Sequence, residues 1–224
     1  YNWTGALCVG MANAGDILAA IDHLVFGEQK VTWDELLGAL EDDWEGAEEL
    51  RQRCIGAPKY GCDDEYADNW VKTMLGMWFD AYEQHPTPRG GRFVVGLISM
   101  GNYVTLGGWT GATPDGRRRG ERLADATSPS VYCLNAGPTA SHRSAARAID
   151  AYHVPNGLTF NQRFNATTIM SPREVSKWAD LVRTFVDEGG LSVQYLIADS
   201  EMLRQAQEHP EEFRHLTGRV AGYS

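Results

Sequence analysis

Apolar residues recur at helical spacing through the first third of the chain. From about Asn13 to Phe26, Ile17, Ala20, Ile21, Leu24 and Val25 share one face, which predicts a helix ending at Gly27 as its cap. Thr32-Trp-Asp-Glu35 has capping-box spacing, and Leu36, Leu37 and Leu40 give the next helix its buried side. A short helix is predicted over Glu45–Ile55. A longer one follows from Asp63-Asp64-Glu65 through Tyr82.

From Pro88 the pattern changes. Pro88-Arg-Gly-Gly91 reads as a turn, and Arg92–Met100 and Tyr103–Leu106 read as strands around Gly101-Asn102. Turn formers fill Thr110–Gly116, and residues 123–139 read as irregular loop. A short Ala-rich helix runs from about Ala140 to Ile149. Ser171-Pro-Arg-Glu174 combines an N-cap, a proline at the first helical position and a capping Glu, so a helix is predicted to about Glu188, stopping at Gly189-Gly190. Leu191–Ala198 is rich in strand formers, and Asp199 or Ser200 caps a last helix that Pro210 ends. Strands alternating with helices in the second half predict an α/β fold.

Composition narrows the partners. The chain has 224 residues and a formal net charge of −10, which argues against nucleic acid, because phosphate binding needs a basic stripe. Arg117-Arg118-Arg119 is too short to supply one and reads as a solvated turn, with an anion site as the other reading. No apolar run is long enough for a membrane helix. No leader is visible at Tyr1, and the start at Tyr1 instead of Met reads as a piece of something longer. Cys8, Cys54, Cys62 and Cys133 have no CxxC spacing and imply a reduced, cytoplasmic setting.

The classical site motifs are missing: no nucleophile elbow, P-loop or dinucleotide fingerprint. The six histidines are scattered, so no metal site is expected. Asp63-Asp64-Glu65 lacks the alternation around a glycine of a calcium loop and suits a helix N-terminus.

The ordered pieces carry a resemblance. They are Asp16-Ile-Leu-Ala-Ala-Ile21, Ala57-Pro-Lys-Tyr-Gly61, Arg89-Gly-Gly91, Thr110-Gly-Ala-Thr-Pro-Asp-Gly-Arg117 and Leu123-Ala-Asp125. Ser128-Pro-Ser130, Gly137-Pro-Thr-Ala140, Phe160-Asn-Gln162, Ala206-Gln-Glu-His-Pro210 and Arg219-Val-Ala-Gly-Tyr223 complete the set. Together they resemble the C-terminal part of the glycyl radical enzymes, the family of pyruvate formate-lyase, the diol dehydratases, choline lyase, the arylacetate decarboxylases and the fumarate-adding synthases.

The resemblance implies half of a ten-stranded α/β barrel with helices outside. Residues 1–190 would be barrel and 191–224 a glycine radical domain truncated at its C-terminus. It implies that Gly222 stores the radical. Loss of hydrogen from Cα leaves a planar, delocalised centre, which a Cβ would crowd. A radical S-adenosylmethionine activating enzyme with an iron–sulfur cluster would install the radical, so no cofactor is expected on this chain. The radical would then generate a thiyl on a cysteine upstream of Tyr1, for C–C or C–X cleavage or formation on a small organic substrate. Alone the chain would be inactive; at full length it would be an anaerobic, cytoplasmic homodimer. Cys8 lacks the acidic context of the family nucleophile and reads as a packed residue. Ser99-Met100-Gly101 departs from the Tyr-Pro-Val-Ser-Ala-Asn-like run of the diol dehydratases and choline lyase. The other function open to the chain is a non-catalytic spare part that docks a fresh Gly loop, and the plainest reading of Gly222 is a tight turn.

Overall fold

The structure, a computed structural model, describes residues 2–133, 136–165 and 171–214. Gly222 lies outside them. Among the described residues, four short strands and eight α-helices follow in the order β1 (Thr4–Leu7), α1 (Met11–Ile21), α2 (Trp33–Glu41), α3 (Glu48–Gly56), α4 (Glu65–Glu83), β2 (Phe93–Gly96), α5 (Asn102–Trp109), α6 (Gly137–Ala148), β3 (Asn161–Phe164), α7 (Pro172–Asp187), β4 (Gln194–Ile197) and α8 (Ser200–Glu208).

β1 pairs parallel with β2, Thr4 opposite Phe93, and β3 pairs parallel with β4, Asn161 opposite Gln194. The two ladders are joined by the residues between them. Asn156 N–H donates to Val95 O, Leu97 N–H to Gly157 O and Thr159 N–H to Leu97 O, and Leu97 and Leu158 form a parallel bridge. All four strands therefore run in one direction, in the order β1-β2-β3-β4, with helices in every connection, as parallel strands require. Val94 and Val95 on β2 and Leu97 beyond it are all buried, as in a strand covered on both faces.

α1 and α4 pack on this sheet and on each other. A Cβ on Gly15 would overlap Val71 of α4, so the closeness of the two helices depends on a residue without a side chain. Their shared core includes Met11, Ala12, Val71, Leu75 and Phe79, with Leu97 and Phe160 from the sheet side. A second cluster, around Leu24, Leu36, Trp44 and Cys54, holds α2 and α3.

The N-terminal signals formed as predicted. Thr32 and Ser171 each accept from the backbone three residues on, while Glu35 and Glu174 reach back, giving two complete capping boxes. Asp64 and Asp199 accept from Tyr66 N–H and Glu201 N–H and cap α4 and α8. The acids before α4 have structural partners: Asp63 pairs with Arg143 and Arg147 of α6.

Four expectations need correction. The first helix becomes a π-helical turn at Asp22–Gly27, and Gly27 is not a left-handed cap. Tyr103–Leu106 is not a strand but lies in α5. Gly101, at φ 84°, turns the chain straight into a helix, whose residue Gly107 packs against the backbone of Glu121 and Arg122, where any Cβ would clash. Asn161–Phe164, read only as part of a motif, is a strand.

The fourth correction is Arg117. It is neither solvated nor holding an anion: it is 1% exposed. Its Nη1 donates to Glu121 O at 2.7 Å and Arg118 O at 3.1 Å, its Nη2 to Gly111 O, and its Nε to Thr113 Oγ1 at 3.1 Å. A guanidinium has enough rigid donors to satisfy a folded-back loop of carbonyls. Arg118, by contrast, reaches Asp43 O and Glu48.

Candidate active site

A cavity of about 670 Å³ opens against β3, β4 and the segments after β2 and α5. That is within the usual range for small-molecule sites. Because side chains alternate across a strand, Asn161 and Arg163 share a face with their register partners Gln194 and Leu196, and all four line the cavity. The opposite side of β3 and β4 turns to α6. There Gln162 meets Ser141, and Tyr195 meets His142.

Asp125 is the polar centre of the wall. Its Oδ1 accepts from the Ser99 hydroxyl and its Oδ2 from Asn161 Nδ2 at 2.7 Å. Three separate stretches, the chain after β2, the loop before α6 and the start of β3, thus converge on one carboxylate. Ser128 adds a further tie, donating to Asn161 O and accepting from Asn161 N–H, both at 3.0 Å. Each carboxylate oxygen keeps spare acceptor capacity. Among the described residues Arg122 and Arg163, also on the wall, have no carboxylate partner, and Gln194 Oε1 is buried without a donor. The wall can accept a hydroxyl and can donate to an oxygen-rich group.

The loop bearing Asp125 is held from behind by α1. Asn13 Nδ2 donates to Asp115 at 2.6 Å, and Asn13 Oδ1 accepts from Ala124 N–H at 2.6 Å, directly beside Asp125. Asp16 is fully buried; it accepts from Tyr60 N–H and from the Ser130 hydroxyl, both at 2.8 Å. Burial pushes its carboxyl up to about 7, and nearby Lys59 offsets part of that. Burial also lowers Lys59, whose ammonium donates to Cys54 O and Ala57 O.

His142 is fully buried, and its Nδ1 sits 2.7 Å from Pro138 O. A carbonyl can only accept, so Nδ1 carries the proton and Nε2 accepts from the Tyr195 hydroxyl at 2.8 Å. Burial holds His142 below the usual histidine range, consistent with a neutral ring. Its planes stack with Tyr195 and meet Phe160 and Phe185 edge-on.

Cys8 lies half-buried after β1, its thiol raised to about 11 by burial, in keeping with a packed residue. No cluster of three metal-ligating side chains occurs among the described residues. Gly222, the radical position named by the sequence, falls outside those residues. Of the cavity wall, Asp125 and Asn161 had appeared only inside longer motifs and Ser99 only as a departure from one. The signal that could have singled them out is polarity in stretches otherwise read as strand or loop.

The comparisons agree with this geometry. The Pyruvate formate lyase-like family matches residues 1–107 and the Glycine radical family residues 123–224. The chain is 38% identical, over its whole length, to the probable dehydratase YbiW of Escherichia coli, and spans 29% of that protein. It is 32% identical to the trans-4-hydroxy-L-proline dehydratase of Clostridioides difficile and spans 28% of it. The glycerol-bound B12-independent glycerol dehydratase of Clostridium butyricum superposes on all of the chain with a TM-score of 0.95 and 38% identity, the chain spanning 28% of that structure. The fold is therefore part of the α/β barrel of these enzymes, and the chain belongs to the glycyl radical enzyme family.

Proposed function

We propose that this chain is the radical-bearing part of an anaerobic glycyl radical lyase that removes a hydroxyl group, as water, from a small hydroxylated substrate. The observation that carries the reading is the Glycine radical match over 123–224, which takes in Arg219-Val-Ala-Gly-Tyr223 on the same chain as the Asp125 cavity. The three relatives named above are a probable dehydratase and two dehydratases, which favours C–O cleavage over the other reactions of the family.

In this reading a radical S-adenosylmethionine activating enzyme takes one hydrogen from Gly222 Cα. The Cα radical takes the hydrogen of a thiol on a cysteine outside this chain, and the thiyl so formed takes hydrogen from a substrate carbon. A hydroxyl on the adjacent carbon then leaves with a proton as water, and the thiol returns its hydrogen to the product radical. Asp125, fixed by Ser99 and Asn161, accepts a substrate hydroxyl, and Arg163, which lines the same cavity, donates to another substrate oxygen. The barrel keeps water and oxygen from the radical.

The test uses the complete enzyme that contains this chain, activated under anaerobic conditions and offered small diols and hydroxy acids. The reading expects a dehydrated product from at least one of them, abolished in Gly222→Ala. Turnover that survives Gly222→Ala would remove the radical from the mechanism.

A further inference from the structure

Two of the four cysteines lie on segments far apart in sequence that pack against each other. Cys62 sits in the turn before α4, between Gly61 at φ 94° and Asp63 at φ 56°. Cys133 follows Ser128 and Pro129 in the segment before α6. The two thiols are near enough to shift each other in opposite directions. The loop is pressed closely onto the turn: a Cβ on Gly61 would overlap Pro129 and come within 3.4 Å of Cys133 Sγ. Cys133 is fixed by its N–H to Ser130 O at 3.2 Å, and Ser130 in turn binds Asp16. Both thiols are free and half-buried; Cys133 and Gly61, the residue before Cys62, line a second cavity of about 520 Å³, which brings a small reagent to the edge of the pair. The second cavity shares Ser128, Pro129, Asn161, Gln162 and Arg163 with the first.

We propose that Cys62 and Cys133 form a reversible dithiol–disulfide pair, oxidised by a low-molecular-weight disulfide, that fastens the wall of the cavity to the start of α4.

The environment divides the work between the two sulfurs. The neighbouring Cys133 thiol lowers Cys62, with help from Lys59 and against burial, Asp16 and Asp64, while the Cys62 sulfur and burial raise Cys133. Cys62 is thus the attacking thiolate. It displaces one thiolate from the reagent and forms a mixed disulfide. That step removes the negative sulfur that kept Cys133 protonated. Cys133 then loses its proton, attacks the Cys62 sulfur and expels the second thiolate. Two protein thiols are oxidised and one reagent disulfide is reduced to two thiols. Cys8 and Cys54 have no such partner, and burial pushes each of them up to about 11.

Incubating the complete enzyme that contains this chain with oxidised glutathione, without oxygen, tests this by peptide mapping. Of the four cysteines of this chain, Cys62 and Cys133 alone should become resistant to alkylation, as one cross-linked peptide pair reversed by dithiothreitol. Cys133→Ser should trap glutathione on Cys62, which reacts about tenfold or more faster than Cys8 and Cys54. Cys62→Ser should leave Cys133 unmodified. Absence of the Cys62–Cys133 peptide at full reaction, or a Cys62 no faster than Cys8 in Cys133→Ser, overturns the proposal. Gly222→Ala leaves every one of these readouts unchanged, so this inference and the radical reading fail separately.

Discussion

The Tyr195 hydroxyl donates to His142 Nε2 at 2.8 Å, joining β4 to α6 behind the cavity wall. Neither ring nitrogen of His142 is left without a partner, because Nδ1–H is taken by Pro138 O. Tyr195→Phe removes the donor but not the shape, and leaves a buried acceptor unpaired. The loss should be about 1–3 kcal/mol in urea unfolding. A change below about 0.5 kcal/mol would show that the bond does not hold β4 in place.

The same ring predicts an acid sensitivity. Burial lowers the folded-state pKa of His142 below its unfolded value. Its contribution is then present above the unfolded pKa and is lost as pH falls through the folded one. The imidazole resonances of His142 should titrate below the usual histidine range by proton NMR, and unfolding should set in as they do.

Asp16 works in the other direction. Its folded carboxyl is raised to about 7, above the unfolded value, so its contribution is complete at low pH and is lost as pH rises toward 7. Asp68, raised by burial to about 6, adds to the same slope. Asp16→Asn keeps the shape and can still accept from Tyr60 N–H. It should flatten the fall in stability between about pH 4 and 7, a window worth roughly 4 kcal/mol for a rise of this size. Denaturation midpoints measured across that window for the two proteins check it; parallel curves would rule it out.

Arg117→Lys should destabilise strongly although it keeps the charge. A single ammonium cannot reach the carbonyls of Gly111, Arg118 and Glu121 together. Two or more stranded carbonyls at about 1–3 kcal/mol each predict a loss of several kcal/mol in thermal or urea unfolding. Arg119→Lys, on the exposed side of the same run, should be nearly silent.

These residues also show what the sequence could and could not reveal. Local signals read well, because a capping box or an N-cap acid acts within three residues, as at Thr32, Ser171, Asp64 and Asp199. α5 did not: Tyr103 and Val104 favour strands, but the left-handed turn at Gly101 and the close seat of Gly107 fix a helix. β3 was missed because Asn161 and Arg163 face a polar cavity, so the strand lacks an apolar rhythm. Arg117 is charged in sequence and buried in space, and only the folded loop supplies its acceptors. The Asp125 centre was equally hidden, since its partners lie at Ser99 and Asn161. The family itself was legible, because ten short motifs in the right order carry it where no single one does.

Electron paramagnetic resonance of the complete enzyme, reduced and treated anaerobically with its activating enzyme and S-adenosylmethionine, tests the central claim most directly. The account predicts an organic radical doublet that is lost on admission of oxygen, together with a backbone cut at Gly222, and that is absent in Gly222→Ala. A doublet that persists in Gly222→Ala, or none in the wild type under conditions where the activating enzyme consumes S-adenosylmethionine, would contradict it.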